Sequence, residues 1–166
     1  MQEEQVKVLI ALSEATNRMD LNMFSKKVNL NPAEAIQQVQ HLAREGFLQK
    51  VGNGFGITEK GRTALKALAT VPEEMAFEFY YSFDHPVGIS VDTLEDFYIM
   101  IRQINVESLE FHLYRGDFET WLKEAVKDQQ LAYEFGTVRA FGLKGEELRA
   151  ELIRALDEDY CIQELL

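Results

Sequence analysis

One cysteine, one tryptophan and three histidines in 166 residues remove whole classes of chemistry. Cys161 alone can close no internal disulfide, and it leaves no thiol cluster for zinc. The histidines lie far apart, no glycine-rich phosphate loop is present, and no serine or cysteine sits in a nucleophile motif. Nothing in these patterns supports an enzyme, and neither a metal nor another cofactor is expected. No apolar run approaches the roughly 18 to 20 residues of a membrane span. The opening Met-Gln-Glu-Glu-Gln is acidic and polar, unlike a secretion signal, so a cytoplasmic chain with no membrane partner is expected.

What is present suits packed cores: 46% hydrophobic and 11% aromatic residues exclude wholesale disorder. The length fits one domain or two small ones. Charge divides the chain. Residues 1–71 carry nine Lys/Arg against seven Asp/Glu, a balance of +2, so the remainder holds −13 of the net −11. Such asymmetry implies halves with different surroundings, although +2 is a weak electrostatic footprint for DNA.

Val6, Leu9, Ile10 and Leu12 recur at helical spacing and predict an amphipathic helix from residue 3 to about residue 16. A polar break over residues 17–20 precedes a short second helix, marked by Met23, Phe24 and Val28 and ending near Asn29. Asn31 is a good N-cap, Pro32 suits the first helical position, and Glu34 completes a capping box. The third helix is expected to bury Ile36, Val39, Leu42 and Ala43 and to stop at Gly46. A hairpin of residues 47–51 and 55–57 around Gly52-Asn53-Gly54 follows. Thr58 then caps a fourth helix carrying Ala64, Leu65 and Leu68.

Leu42, the charged pair Arg44-Glu45, Gly46 and Phe47 close the third helix, and Thr58-Glu59-Lys60-Gly61 follows the hairpin. With these marks, residues 3–70 resemble the winged helix-turn-helix domains of prokaryotic transcription regulators. The resemblance implies three helices, a hairpin wing and a fourth helix, with double-stranded DNA as partner. Carried onto this sequence, it places Ala33, Gln37, Gln38, His41 and Arg44 on the face that enters a major groove. There Gln can bond adenine and Arg can fork onto guanine. Lys26, Lys27, Lys50, Lys60 and Arg62 would meet phosphates, and Asn53 stands at the wing tip. The same polar residues would equally solvate an exposed helix face. Glu34 adds negative charge at the helix end that approaches phosphate.

Pro72 and the onset of acidic bias set the expected boundary, giving domains 1–71 and 72–166. Phe77, Phe79, Tyr81 and Phe83 alternate with Glu78, Tyr80 and Ser82, which predicts a strand with one aromatic face. Residues 84–88 read as a turn and 89–91 as a short returning strand. Such a ribbon is marginal alone and must pack on helices or pair with another copy. Helices dominate thereafter. Asp92 with Glu95 is expected to box the first, which buries Leu94, Phe97, Tyr98, Ile101 and Ile104. The next starts at Val106, buries Leu109 and Leu113, and ends at Gly116; Asp117 is expected to cap its successor, lined by Phe118, Trp121, Leu122 and Ala125. Leu131, Ala132, Phe135 and Val138 mark another, and Leu148, Leu152 and Leu156 the last, before an acidic tail from Asp157 that is expected to fray. The fold class is therefore mainly α with small β: a winged-helix half, then a mostly helical half opened by a short strand or hairpin.

The run from Phe111 through His112, Arg115-Gly116-Asp117-Phe118 and Trp121 to Leu122, with Asp128 and Leu131-Ala132 downstream, is similar to an uncharacterised, largely archaeal domain family. That family shares a His-x-x-Arg-Gly-Asp-Phe-x-x-Trp core. The likeness spans most of residues 77–155 and implies no activity. His112, Arg115 and Asp117 form the one polar constellation with a reading as a ligand corner. Their structural reading has Asp117 capping a helix, Arg115 pairing with carboxylates and His112 holding a backbone carbonyl. Trp121 reads as core, and the Arg-Gly-Asp triplet between two helices is no adhesion signal.

The leading expectation is a DNA-binding transcription regulator acting as a homodimer, its acidic half supplying dimerisation, a partner surface or a sensor pocket. The alternative is a protein-interaction module, with the winged helix as docking surface and the acidic half meeting a basic partner. A third reading is a small-ligand or nucleotide-handling protein built on the His112 corner.

Overall fold

The computed structural model describes residues 1–15 and 20–166. These form two compact units, Met1–Lys66 with Leu165–Leu166, and Ala67–Glu164. The expected end of the first helix at residue 16 and the polar break over 17–19 lie outside the described residues. The described chain is mainly helical, with two antiparallel two-stranded sheets. Among the described residues no helix is long and apolar enough to cross a membrane.

The first unit opens with α1 (Glu3–Ser13), α2 (Leu21–Val28) and α3 (Pro32–Arg44). In α1 the buried stripe is Gln5, Val8, Leu9 and Ala11. Ile10, expected inside, is 41% exposed, because one residue past Leu9 the helix has turned by about 100°. Asp20 caps α2 by accepting the Met23 N–H at 2.9 Å. The Asn31 box on α3 forms as expected: Asn31 accepts the Glu34 N–H at 2.9 Å, and Glu34 accepts the Asn31 N–H at 3.2 Å. Ala35, Val39 and Leu42, at i, i+4 and i+7, make the buried face of α3. Ile36 was expected there and is instead 41% exposed, one step around the helix from Ala35; Ala43 is half-buried.

Strands β1 (Leu48–Val51) and β2 (Gly54–Ile57) pair with Val51 opposite Gly54, leaving the two-residue turn Gly52-Asn53. Gly52 takes φ +59°, which glycine adopts without steric cost. Helix α4 (Glu59–Leu68) is tied back to the end of α3 by Thr58. The Thr58 hydroxyl reaches the Gly46 and Phe47 carbonyls at 2.7 and 3.0 Å and accepts the Gly61 N–H at 3.1 Å. Gly61 is buried against this junction: a Cβ there would overlap the Phe47 carbonyl and lie 2.6 Å from Ile57 Cγ1.

In the second unit, β3 (Phe77–Ser82) and β4 (His85–Val91) form a hairpin whose turn is Phe83-Asp84. The expected turn over 84–88 is thus corrected, and the returning strand starts earlier. Register runs Phe77 to Val91 and Glu78 to Ser90, then slips, so that Tyr80 faces Pro86 and Ser82 faces His85. The expected aromatic face is also broken: Phe77 and Phe79 are buried, whereas Tyr81 and Phe83 are 44% and 73% exposed.

Five helices complete the unit: α5 (Leu94–Gln103), α6 (Val106–Arg115), α7 (Asp117–Glu124), α8 (Gln129–Ala140) and α9 (Gly145–Tyr160). Thr93, not Asp92, caps α5, accepting the Asp96 N–H at 3.0 Å; the chain becomes helical one residue later than the expected box requires. Arg149 of α9 closes the other end of α5, donating to the carbonyls of Ile101 and Ile104. Rings of Phe77, Phe97, Phe118, Trp121 and Phe135 meet at centroid distances of 4.8 to 6.1 Å. Each such ring contributes about 1.5–3 kcal/mol of burial. Contrary to expectation, the C-terminal part of α9 does not fray: Tyr160 is buried and donates to Asp128, and Asp157 accepts from Tyr98 at 2.9 Å.

Gly61→Ala is expected to destabilise the first unit by about 1–3 kcal/mol through overpacking against rigid backbone. Far-UV circular dichroism during urea unfolding measures this; an unchanged midpoint would refute the close approach.

Candidate functional site

Two surfaces hold the residues singled out above, one in each unit. In the first, α3 places Ala33, Gln37 and Arg44 in the open, with Gln38 and His41 half-buried beside them. Helical spacing puts 33, 37, 41 and 44 along one side. Gln40, absent from the expected set, is exposed between Gln37 and Arg44. Among the expected phosphate contacts, Lys26 and Lys50 are exposed, and Asn53 stands at the hairpin turn. Three others have protein partners. Lys27 pairs with Glu14 at 3.1 Å and Arg62 with Glu59 at 3.3 Å. Lys60 donates to the Glu45 carbonyl at 3.0 Å and lies 4.5 Å above the Phe47 ring, so it acts on the C-terminus of α3.

Alongside this face lies a groove of about 810 Å³, formed between α1, α2, α3 and the hairpin. Leu21, Ile36, Val51 and Phe55 line it and are 39–57% exposed. The outward turn of Ile36 creates this apolar strip. Sequence periodicity assigns that residue to the core, so the groove has no signature in the sequence.

The second surface is the corner between α6 and α7. Gly116, at φ +79°, ends α6 and lets α7 begin at the next residue. The turn brings His112, Arg115 and Asp117 together. The Tyr80 backbone N–H donates to His112 Nε2 at 2.8 Å. Nε2 is therefore an acceptor, and the single proton of the neutral ring sits on Nδ1, directed to Asp117 Oδ2 at 2.8 Å. This corrects the expectation of a bond to a backbone carbonyl. Asp117 Oδ2 also accepts from Arg115 Nε at 3.0 Å, and Asp117 makes no capping bond, which corrects its expected role. The Arg115 guanidinium carbon lies over the rings of Phe83 and Phe111, 4.3 and 4.9 Å from their centroids.

Burial pushes His112 below its ordinary value; the Asp117 carboxylate opposes that shift and the Arg115 charge adds to it. The ring is 3% exposed and both nitrogens are committed, so its geometry suits positioning rather than proton transfer. One α-helical turn earlier, the Ser108 hydroxyl donates to the Tyr80 carbonyl at 2.7 Å. A cleft of about 230 Å³ opens beside the corner, and Glu78, Tyr80, Phe83 and Phe111 line it together with the three corner residues. The hairpin residues Glu78, Tyr80 and Phe83 are not among those the sequence places at the corner. Their only trace in the sequence is the aromatic alternation. Among the described residues no group of His, Cys, Asp and Glu is arranged to hold a metal.

The lowered His112 value sets a pH dependence. As pH falls through the unfolded value of about 6.5, the unfolded chain binds the proton first, so stability is full above that value and is lost as pH approaches the lower folded one. His112→Ala strands the Tyr80 N–H and frees Asp117, costing about 2–4 kcal/mol at neutral pH. Because the parent protein loses this contribution in acid, the gap should narrow near pH 5, about 1.5 units below the ordinary value. Fluorescence of Trp121, the sole tryptophan, reports the transition; a gap independent of pH would refute the neutral ring. No family model, curated protein or solved structure matches this chain.

Proposed function

We propose that the first unit is a winged helix and that the protein is a DNA-binding transcription regulator working as a homodimer. The observation that carries this reading is the open polar side of α3, where Gln37, Gln40 and Arg44 face solvent with His41 at their edge. Amide and guanidinium groups on an exposed helix can pair with adenine and guanine edges. Lys26 and Lys50 add phosphate contacts close in sequence to α3 and on the hairpin. The modest +2 charge of residues 1–71 makes affinity depend on two copies binding together, with the acidic second half supplying the dimer, a partner surface or a sensor.

A second reading, a protein-docking module, is favoured by the apolar groove beside α3. DNA has no use for Ile36, Val51 and Phe55 in the open, whereas a protein partner does.

Fluorescence anisotropy with a labelled mixed-sequence duplex tests the first reading. Affinity should fall about a hundredfold between roughly 50 and 200 mM salt if about four phosphates are neutralised. Arg44→Ala should weaken binding about tenfold, and Phe55→Ser should leave it unchanged. Absence of duplex binding at low salt by the folded protein would overturn it and leave the docking module.

A further inference from the structure

The geometry points to the cleft at the α6–α7 corner as a binding site for a free α-amino acid with an apolar side chain. The ligand carboxylate meets Arg115 and its ammonium group meets Glu78. This inference concerns the second unit alone and stands whether or not the first unit binds DNA.

The argument starts from which hydrogen-bonding groups are already used. His112 is saturated at both nitrogens. Asp117 Oδ2 takes two donors, His112 and Arg115 Nε. Nε is the guanidinium nitrogen bonded to Asp117, which leaves the two Nη groups, a fork of donors, outside that bond; Arg115 lines both this cleft and a second one beside Gly116 and Lys123. Arg115 is held at three places, by Asp117 and by the perpendicular rings of Phe83 and Phe111, and its side chain is still 39% exposed. A guanidinium held against two rings and partly open to solvent is suited to capture of a carboxylate through its Nη donors.

Glu78 lines the same cleft and accepts the Tyr80 hydroxyl through Oε2 at 2.9 Å. With His112 neutral, the cleft holds one cation, Arg115, and two anions, Glu78 and Asp117. A phosphate or a second simple anion is repelled by that surplus. A simple cation is drawn by the surplus but leaves the Arg115 donors unused. A dipolar ion satisfies both ends at once. The remaining wall is aromatic, from Phe77, Phe83 and Phe111, which selects an apolar side chain. At about 230 Å³ the cleft is smaller than the roughly 300 Å³ at which pockets for drug-sized ligands begin, which suits a ligand the size of an amino acid.

The test uses the full chain without DNA. Each of the common L-amino acids is titrated at millimolar concentration, with calorimetry and the Trp121 thermal transition as readouts. For the tightest binder, its deaminated acid and its decarboxylated amine are run alongside. At least one apolar amino acid should bind and raise the transition, and both fragments should bind at least about tenfold more weakly. Glu78→Gln keeps an acceptor for the Tyr80 hydroxyl on an exposed strand position, so its fold is retained, and it should weaken binding about tenfold. Arg115→Gln should weaken it at least as much; if that variant does not fold, Glu78→Gln decides. No binding by any apolar amino acid, undiminished affinity in Glu78→Gln, or equal affinity for the deaminated acid each overturns the proposal.

Discussion

The imidazole of His112 carries one proton between two partners, and the second unit is organised around that allocation. A two-stranded ribbon buries too little face to persist in water and leaves backbone groups open along its outer edges. Here the Tyr80 N–H and carbonyl, which a longer sheet would pair with another strand, are taken by His112 and Ser108 from successive turns of α6. A helix thereby substitutes for a third strand. The N–H fixes Nε2 as acceptor, which puts the proton on Nδ1 and draws Asp117 in, and Asp117 in turn orients Arg115. Protonating the ring would remove the acceptor facing Tyr80, so the neutral form is the one compatible with this packing.

Elements defined by local chemistry were legible from the residues alone. Asn31-Pro32 with Glu34 starts α3, and Gly116 in the left-handed region ends α6, because caps depend on neighbours within a few positions. The five residues expected to be buried along α5, Leu94 to Ile104, are buried. What escaped the sequence depends on partners distant along the chain. The slips in the β3–β4 register lie on either side of Tyr80, which bonds to α6 some thirty positions away; Tyr81 there faces outward, and Phe83 lies in the turn. Periodicity along one strand cannot register such a slip. Likewise Ile36 and Ile10 fit an apolar stripe by spacing, yet the stripe that packs is centred on Ala35 and Leu9, and an error of one position moves a side chain by about 100°.

The same one-position shift gives α3 its double character. Its inner row is closed by Ala35, Val39 and Leu42, small enough on one end to let the helices approach. Ile36 and Gln40 then border the apolar groove, while Gln37, His41 and Arg44 form the polar side. A helix used only for solvation has no reason to expose isoleucine beside Phe55, and a helix used only for docking has no reason to carry a glutamine, a histidine and an arginine on the adjacent strip. Both surfaces can be used at once only if the partner in the groove leaves the polar strip free. That condition is a geometric constraint on any assembly built on this unit.

Arg115 shows how a folded corner can prepare a contact without making it. An arginine side chain carries about 2 kcal/mol of rotamer entropy, which a flexible residue surrenders when it binds. In this corner Nε is held by Asp117 and the guanidinium plane by Phe83 and Phe111, so most of that entropy is lost on folding. Phe83 is 73% exposed, an unfavourable position for a phenyl ring unless it has a neighbour to cover, and the neighbour it covers is this cation. Arg115 and Glu78 then stand as opposite charges on the wall of a small aromatic cleft. Donors ordered in advance raise affinity for whatever they match and do nothing for ligands that lack the complementary pair, so selectivity in this cleft follows from the fold rather than from closure of a loop.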